Sequence, residues 1–229
     1  MNVLIVGTAE FTAPLAAMCE RGGHRVASLT SNDFLAAQNV DAHEMFIEVE
    51  TASFDKKRAV LRRAADDALI LTCALTTSTT LAASWVAQPE RVVGFGALPP
   101  IPEKGVIELA RGLQTNDASW ERAQNFWRAL EQNIVVVADG AGLVRARIVC
   151  CIINEAFSAL HEKIASPQDI DLAMQLGTHY PHGPFAWSRA IGLATVLGVM
   201  EGLYAEWGED RYRPAPLLKR CVSAGILPA

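Results

Sequence analysis

After Asn2 the chain runs apolar to Val6 and reaches Gly7; Ala16, Met18 and Cys19 then fall at helical spacing until Gly22-Gly23, and His24 to Leu29 reads as a second strand. This opening constrains the fold more than any other feature. Two strands joined through a helix lie parallel, and parallel strands need helices over both faces. The alternation continues through a strand over Met45–Val49 and a charged amphipathic helix over Phe54–Asp66, whose apolar members are Phe54, Val60, Leu61 and Ala65. A buried-type strand over Ala68–Thr72 and a helix over Thr79–Val86 follow, then strands at Val92–Phe95 and Val106–Ala110. A helix over Ala118–Glu131 and a strand over Ile134–Ala138 complete an α/β half.

Beyond Gly142 strand signals vanish. Leu143 to Ile164 reads as one helix, about 33 Å long. Ser166-Pro167-Gln168-Asp169 is a helix start, with Ser166 as cap and Pro167 at the first helical position, and that helix runs to Gly177. The turn Tyr180-Pro181-His182-Gly183-Pro184 leads to helices near Phe185–Ile191, Ala194–Trp207 and Pro216–Ala224. The expected division is an abbreviated Rossmann-like α/β domain over residues 1–141 and an all-helical domain over 142–229.

Composition narrows the function classes. With 20 Lys+Arg against 25 Asp+Glu, the net charge of −5 provides no basic field for nucleic acid. No apolar stretch approaches the length that crosses a bilayer, so no membrane partner is expected. Five cysteines without ligand-like spacing suggest neither a disulfide framework nor a metal site; a reducing, cytoplasmic setting is expected.

Three clusters are candidates for chemistry. The first is the turn Gly7-Thr8-Ala9, where a dinucleotide pyrophosphate would rest on amides at a helix N-terminus. Only the first glycine of that fingerprint is present; Ala9 and Thr12 occupy the later positions, Glu10 adds negative charge, and Leu29-Thr30-Ser31 holds no ribose-binding carboxylate. A cofactor cradle and a sheet-building turn both stay open, the departures favouring the second. The second is Glu108, an acid within the apolar run Val106–Ala110; an ion pair with Arg111 or Lys104 and a catalytic role are equally open. The third is the hydroxyl tract from Thr76 to Thr80, read first as a loop and helix cap. His179 and His182 sit in a Pro/Gly turn without a third ligand, which favours a structural or solvent-exposed role.

Several segments resemble the 3-hydroxyacyl-CoA dehydrogenases. Asn154-Glu155-Ala156, Ala165 to Met174, Tyr180 to Phe185 and Arg211-Tyr212-Arg213-Pro214 look like that family's helical domain. Pro89 to Gly94, Pro100-Ile101-Pro102 and Val106-Ile107-Glu108 look like the later part of its Rossmann domain, and the first 60 or so residues resemble it only in outline. The resemblance implies NAD as cofactor, an acyl-CoA ligand, and a histidine held by a glutamate, with a serine and an asparagine positioning the substrate.

On this chain Glu108 stands at the glutamate position, Gly96 at the histidine position and Ala146 at the asparagine position. The serine position falls near Ala74 or Leu75, with Thr76 and Thr77 as substitutes. The segment from His24 to Val49 is too short for the family's CoA-clamping hairpin, and a Gly-Lys-Thr-Gly-like tail is missing before Ala229. The pattern also looks like the second half of the two-part dehydrogenases of phenylacetate breakdown.

Because glycine and alanine move no proton, the expectation is a weakly active or non-catalytic member in which NAD binding is disfavoured. It would form a homodimer, or a heteromer with an active relative, through the helical domain, whose first helix carries Ile148, Val149, Ile152, Ile153 and Phe157. The alternatives are an active dehydrogenase with a rebuilt base, or an NAD-independent acyl-CoA enzyme using Glu108.

Overall fold

The computed structural model describes residues 1–40, 42–64 and 67–228. Seven strands form one sheet: β1 (Asn2–Gly7), β2 (Arg25–Thr30), β3 (Met45–Val49), β4 (Leu69–Cys73), β5 (Val92–Gly96), β6 (Val106–Ala110) and β7 (Asn133–Val137). Their spatial order is β2-β1-β3-β4-β5-β6-β7, and every neighbouring pair is parallel except β5 with β6. β1, β3, β4 and β5 are buried on both faces because helices cover both, so they show no in–out alternation; Glu48 and Thr72 are their buried polar members.

The helices of this half are α1 (Ala9–Arg21), α2 (Ser31–Ala36), α3 (Phe54–Arg62), α4 (Thr79–Ala83) and α5 (Asp117–Ala129). Ser53 and Ser78 cap α3 and α4, and Asn116 caps α5, each accepting a hydrogen bond from a first-turn amide. The described part of α3 ends at Arg62, and the expected continuation through Ala65 and Asp66 lies outside the described residues. α2 is an element the periodicity did not indicate. Among the described residues α2 is the one regular element between β2 and β3 and no strand pairs with the far side of β2, which forms a largely exposed sheet edge.

The second half is entirely helical among the described residues: α6 (Arg145–His161), α7 (Pro167–Thr178), α8 (Pro184–Ile191), α9 (Leu193–Trp207) and α10 (Pro216–Ala224). The expected helix from Leu143 to Ile164 is shorter at both ends. Gly142 and Leu143 take left-handed backbone before it, and Lys163 does so after it. The joints of this half are specific. Ser166 accepts from the Asp169 amide at the start of α7, as the sequence indicated. Asp171 accepts from the amides of Phe185 and Ala186 at 2.7 and 3.0 Å, capping α8 from a neighbouring helix. Asn154 accepts from the Ala215 amide at 2.7 Å and donates to the Arg213 carbonyl at 3.1 Å, fixing the entry to α10.

The two halves share one apolar core that extends from β1, β3, β4 and β5 through α1 and α5 to α6, α8, α9 and α10. Beneath the sheet's carboxyl ends lies a fully buried ion pair. Lys57 donates to Glu48 at 2.5 Å and to the Cys73 carbonyl at 2.8 Å, and Thr72 donates to the same carboxylate at 2.6 Å.

Candidate functional site

The strand order turns back at β1, which lies between β2 and β3, so the crevice where such sheets receive ligands opens at the carboxyl ends of β1, β3 and β4. Gly7 sits there with φ +151°, and a Cβ at this position would strike the backbone of Val49. Close crossing of β1 and β3 therefore demands this glycine. The next residue turns inward: the Thr8 amide and hydroxyl both donate to the Val49 carbonyl, at 3.2 and 3.1 Å. Thr8 consequently makes no side-chain cap on α1, and Ala9 and Glu10 begin that helix exposed.

The Thr8 hydroxyl continues into a chain, 3.4 Å to Thr51 and from there 3.3 Å to Thr195 on α9. Hydroxyls thus tie the β1 turn, the end of β3 and the helical half together. At the end of β2, Ser31 donates to the buried Glu50 carboxylate at 2.6 Å, while Glu50 also accepts from the amides of Ala52 and Ser53.

Glu108 lies on β6 directly opposite Gly96 on β5. Its side chain is buried, and burial is the main cause raising its pKa, opposed by hydrogen bonds from the amides of Arg145 and Val144 and by the Arg145 charge. The Arg145 amide donates to it at 3.0 Å. The carboxylate therefore caps α6, which has no cap of its own. The local ion pair considered from the sequence is a correction: Arg111 pairs with Asp117 and Lys104 with Glu131. Those cations lie on turns that lead away from the strand, whereas α6 brings unsatisfied amides to it. A Cβ on Gly96 would stand 3.0 Å from the Glu108 carboxylate and 2.8 Å from the Leu143 side chain. Leu143, held at φ +47°, presses into the space beside Gly96. Ala146 is fully buried one turn along and belongs to the shared core.

Thr76 and Thr77 are placed elsewhere. They line a cavity of about 360 Å³ between α9 and the carboxyl ends of β3 and β4, and Glu108 does not line it. α9 reaches this position through Gly198 and Gly202, where a Cβ would collide with the carbonyls of Thr51 and Thr76. Asp139 anchors the adjoining wall, accepting from the amides of Thr79 and Thr80 at 2.7 and 2.8 Å. Glu206 on α9 accepts from the Ala141 amide at 2.7 Å.

The histidines lie apart from Glu108: His24 stacks on Phe126, His43 packs against Phe46, and His161, His179 and His182 are exposed on the helical half. No group of three or more His, Cys, Asp or Glu that could hold a metal exists among the described residues, nor a helix long and apolar enough to cross a membrane.

A mostly parallel Rossmann-like sheet joined to a helical domain, with an acid at the junction, defines a two-domain Rossmann-type architecture. Family comparison narrows it. The model of the 3-hydroxyacyl-CoA dehydrogenase NAD binding domain matches residues 4–140, and that of the C-terminal domain matches residues 142–229. The chain belongs to the 3-hydroxyacyl-CoA dehydrogenase family.

It is 35% identical to a 3-hydroxybutyryl-CoA dehydrogenase of Bradyrhizobium diazoefficiens over 180 residues, covering 79% of this chain and 60% of that protein. It is 37% identical to a probable 3-hydroxybutyryl-CoA dehydrogenase of Bacillus subtilis over 140 residues, covering 61% of this chain and 49% of the relative. These alignments thus span about half to three fifths of the relatives' length. The crystal structure of an (S)-3-hydroxybutyryl-CoA dehydrogenase from Ralstonia eutropha superposes with a TM-score of 0.77 at 29% identity, covering 98% of this chain and 94% of that one.

Residues that sequence reasoning did not single out are Leu143, Thr195 and the pair Gly198 and Gly202. The glycine spacing was a usable signal, since residues four apart share a helix face and two glycines there let a helix approach backbone closely.

Proposed function

We propose that this chain is a family member of acyl-CoA metabolism that does not catalyse hydride transfer and acts through association of its helical domain, with itself or with an active relative. The observation that carries this reading is the engagement of Glu108 with the amides at the start of α6, with Leu143 filling the space beside Gly96. A general base must lie within hydrogen-bond reach of the proton it takes, and neither Gly96 nor Ala146 can serve.

The β1 turn supports the same reading for NAD. A pyrophosphate would need free donors and close backbone approach at this turn. The Thr8 amide and hydroxyl are instead bonded to Val49, Glu10 stands exposed in the first turn of α1, and Glu50 is buried at the end of β3. These residues do not fit a pyrophosphate. For association, Ile148, Ile164, Leu172, Leu176 and Trp207 leave apolar surface exposed on the helical half.

The test is NADH oxidation with acetoacetyl-CoA at high protein concentration, beside a Glu108→Gln control, with NADH binding followed by fluorescence and mass by light scattering. The expected result is no turnover, no saturable NADH binding and an associated species at micromolar concentration. Turnover of about 1 to 10³ per second, lost in the control, would overturn the reading.

A further inference from the structure

β2 ends the sheet with a row of backbone groups that no strand pairs among the described residues. The Arg25 amide donates to the Met1 carbonyl at the start of β1, and successive residues of a strand turn their backbone groups to opposite sides. Those of Val26 and Ser28 therefore point away from the sheet. Soluble chains commonly blunt such an edge with proline, a charge or a bulge. Val26–Thr30 contains neither proline nor charge, and the register with β1 runs without a bulge from Arg25 to Thr30. Beside the edge lies an open groove of about 650 Å³, lined by Leu4, Ala27, Leu29 and Val40 among others.

The charges of this edge stand at its two ends. Arg25 is exposed at the start of β2. Asp33 is exposed in the first turn of α2, held beside the end of β2 by the Thr30 hydroxyl, which donates to its carboxylate at 2.7 Å. A strand edge with a cation at one end and an acid at the other is self-complementary about a two-fold axis, since an antiparallel copy brings each end against the opposite charge. A foreign strand must match that pattern by its own sequence, whereas a second copy matches it by symmetry.

We propose that β2 docks a second copy of this chain by antiparallel pairing of the two β2 edges, which joins two sheets into one. Ala27 then faces Ala27 across the axis, and Val26 exchanges backbone hydrogen bonds with Ser28 of the second copy. On the groove side the Arg25 stem crosses the second copy's Leu29, and its guanidinium reaches the second copy's Asp33. This contact lies on the sheet, apart from the exposed apolar surface of the helical half. It depends neither on association through that surface nor on the loss of hydride transfer.

The experiment is light scattering on the full chain and its variants from about 1 to 100 μM, with amide exchange of Val26 and Ser28 followed over the same range. Ser28→Pro removes an outward N–H at an edge position where proline is tolerated, and should lower the mass of the associated species at least about twofold. Arg25→Glu and Asp33→Lys each set like charges together at both ends of the pairing, and each should raise the concentration needed for association about tenfold. Both side chains are exposed, and the Thr30 hydroxyl still accepts from the amide of residue 33, so the fold is kept. Mixing these two variants in equal amounts should restore association, because the substituted ends then meet each other and the native Arg25 meets the native Asp33. In the wild type, exchange at Val26 and Ser28 should slow at least about tenfold from the dilute to the concentrated sample. A mass unchanged by Ser28→Pro, a mixture no more associated than its two components, or exchange at β2 independent of concentration would each overturn the proposal. If the helical domain also associates, Ser28→Pro leaves a dimer; if it does not, a monomer, so failure of the preceding reading leaves this one decided.

Discussion

The helical half and the crevice of the sheet treat the same kinds of residue differently. In the helical half three polar motif residues make joints: Asp171 caps α8, Asn154 fixes the entry to α10, and Ser166 starts α7. At the crevice the polar residues bind one another or neighbouring backbone, as Thr8 does with Val49, Ser31 with Glu50 and Glu108 with the start of α6. A joint needs its particular side chain in order to fold. A binding crevice needs polar groups left unsatisfied, whereas these are bonded within the chain.

The largest expected effect probes the floor under the crevice. Lys57→Met leaves Glu48 charged, buried and without its cation, which should cost about 3–5 kcal/mol in denaturant unfolding. Adding Glu48→Gln should recover much of that loss, because Thr72 and the Glu50 amide can still bond the neutral side chain. If the single variant costs under about 1 kcal/mol, the floor is not a structural joint and the contrast with the helical half sharpens.

Glycines test the comparison at intermediate size. Gly183→Ala would push a methyl into Asp171, and Gly202→Ala would push one into the Thr76 carbonyl; each should cost about 1–3 kcal/mol. Gly177→Ala meets nothing within 4 Å inside α7 and should stabilise by about 0.5–1 kcal/mol through helix propensity. Glu108→Leu should cost about 0.5–2 kcal/mol by removing the cap of α6, with Glu108→Gln nearly neutral. An equal cost for both would separate Glu108 from capping.

Those residues also show what could be read from the chain alone. The buried strands and long helices were legible because the sheet takes apolar side chains on both faces, giving continuous runs such as Val3–Val6 and Leu69–Leu71. The antiparallel turn of β6 was not, since a strand buried on both faces looks alike in either direction. α2 was missed because six residues contain less than two turns of period. Glu108 stood out as an acid in an apolar run, yet its partners were invisible: they are the backbone amides of Val144 and Arg145, far along the chain, and an amide carries no sequence identity. Ser166 was legible because its acceptor and donor lie three residues apart.

The smallest effect concerns His24, at the turn between α1 and β2. Its ring stacks on Phe126 with centroids 5.5 Å apart, and its buried Nε2 has no partner. Burial, aided by the N-terminal charge and opposed by Glu44, lowers its pKa below the usual 6.5. In the window between the lowered value and 6.5 the unfolded chain binds a proton that the folded chain refuses, so stability rises with pH there. The contribution is present above pH 6.5 and declines as pH falls through that window. His24→Phe should keep the stacking and remove this slope, so the two proteins should diverge in denaturation midpoint only below about pH 6.5, by an amount small against the losses above. A wild-type midpoint that stays parallel to the variant's from pH 5 to 8 would show that the ring titrates as freely in the fold as in the unfolded chain, and that this turn carries none of the desolvation that distinguishes the sheet's interior joints.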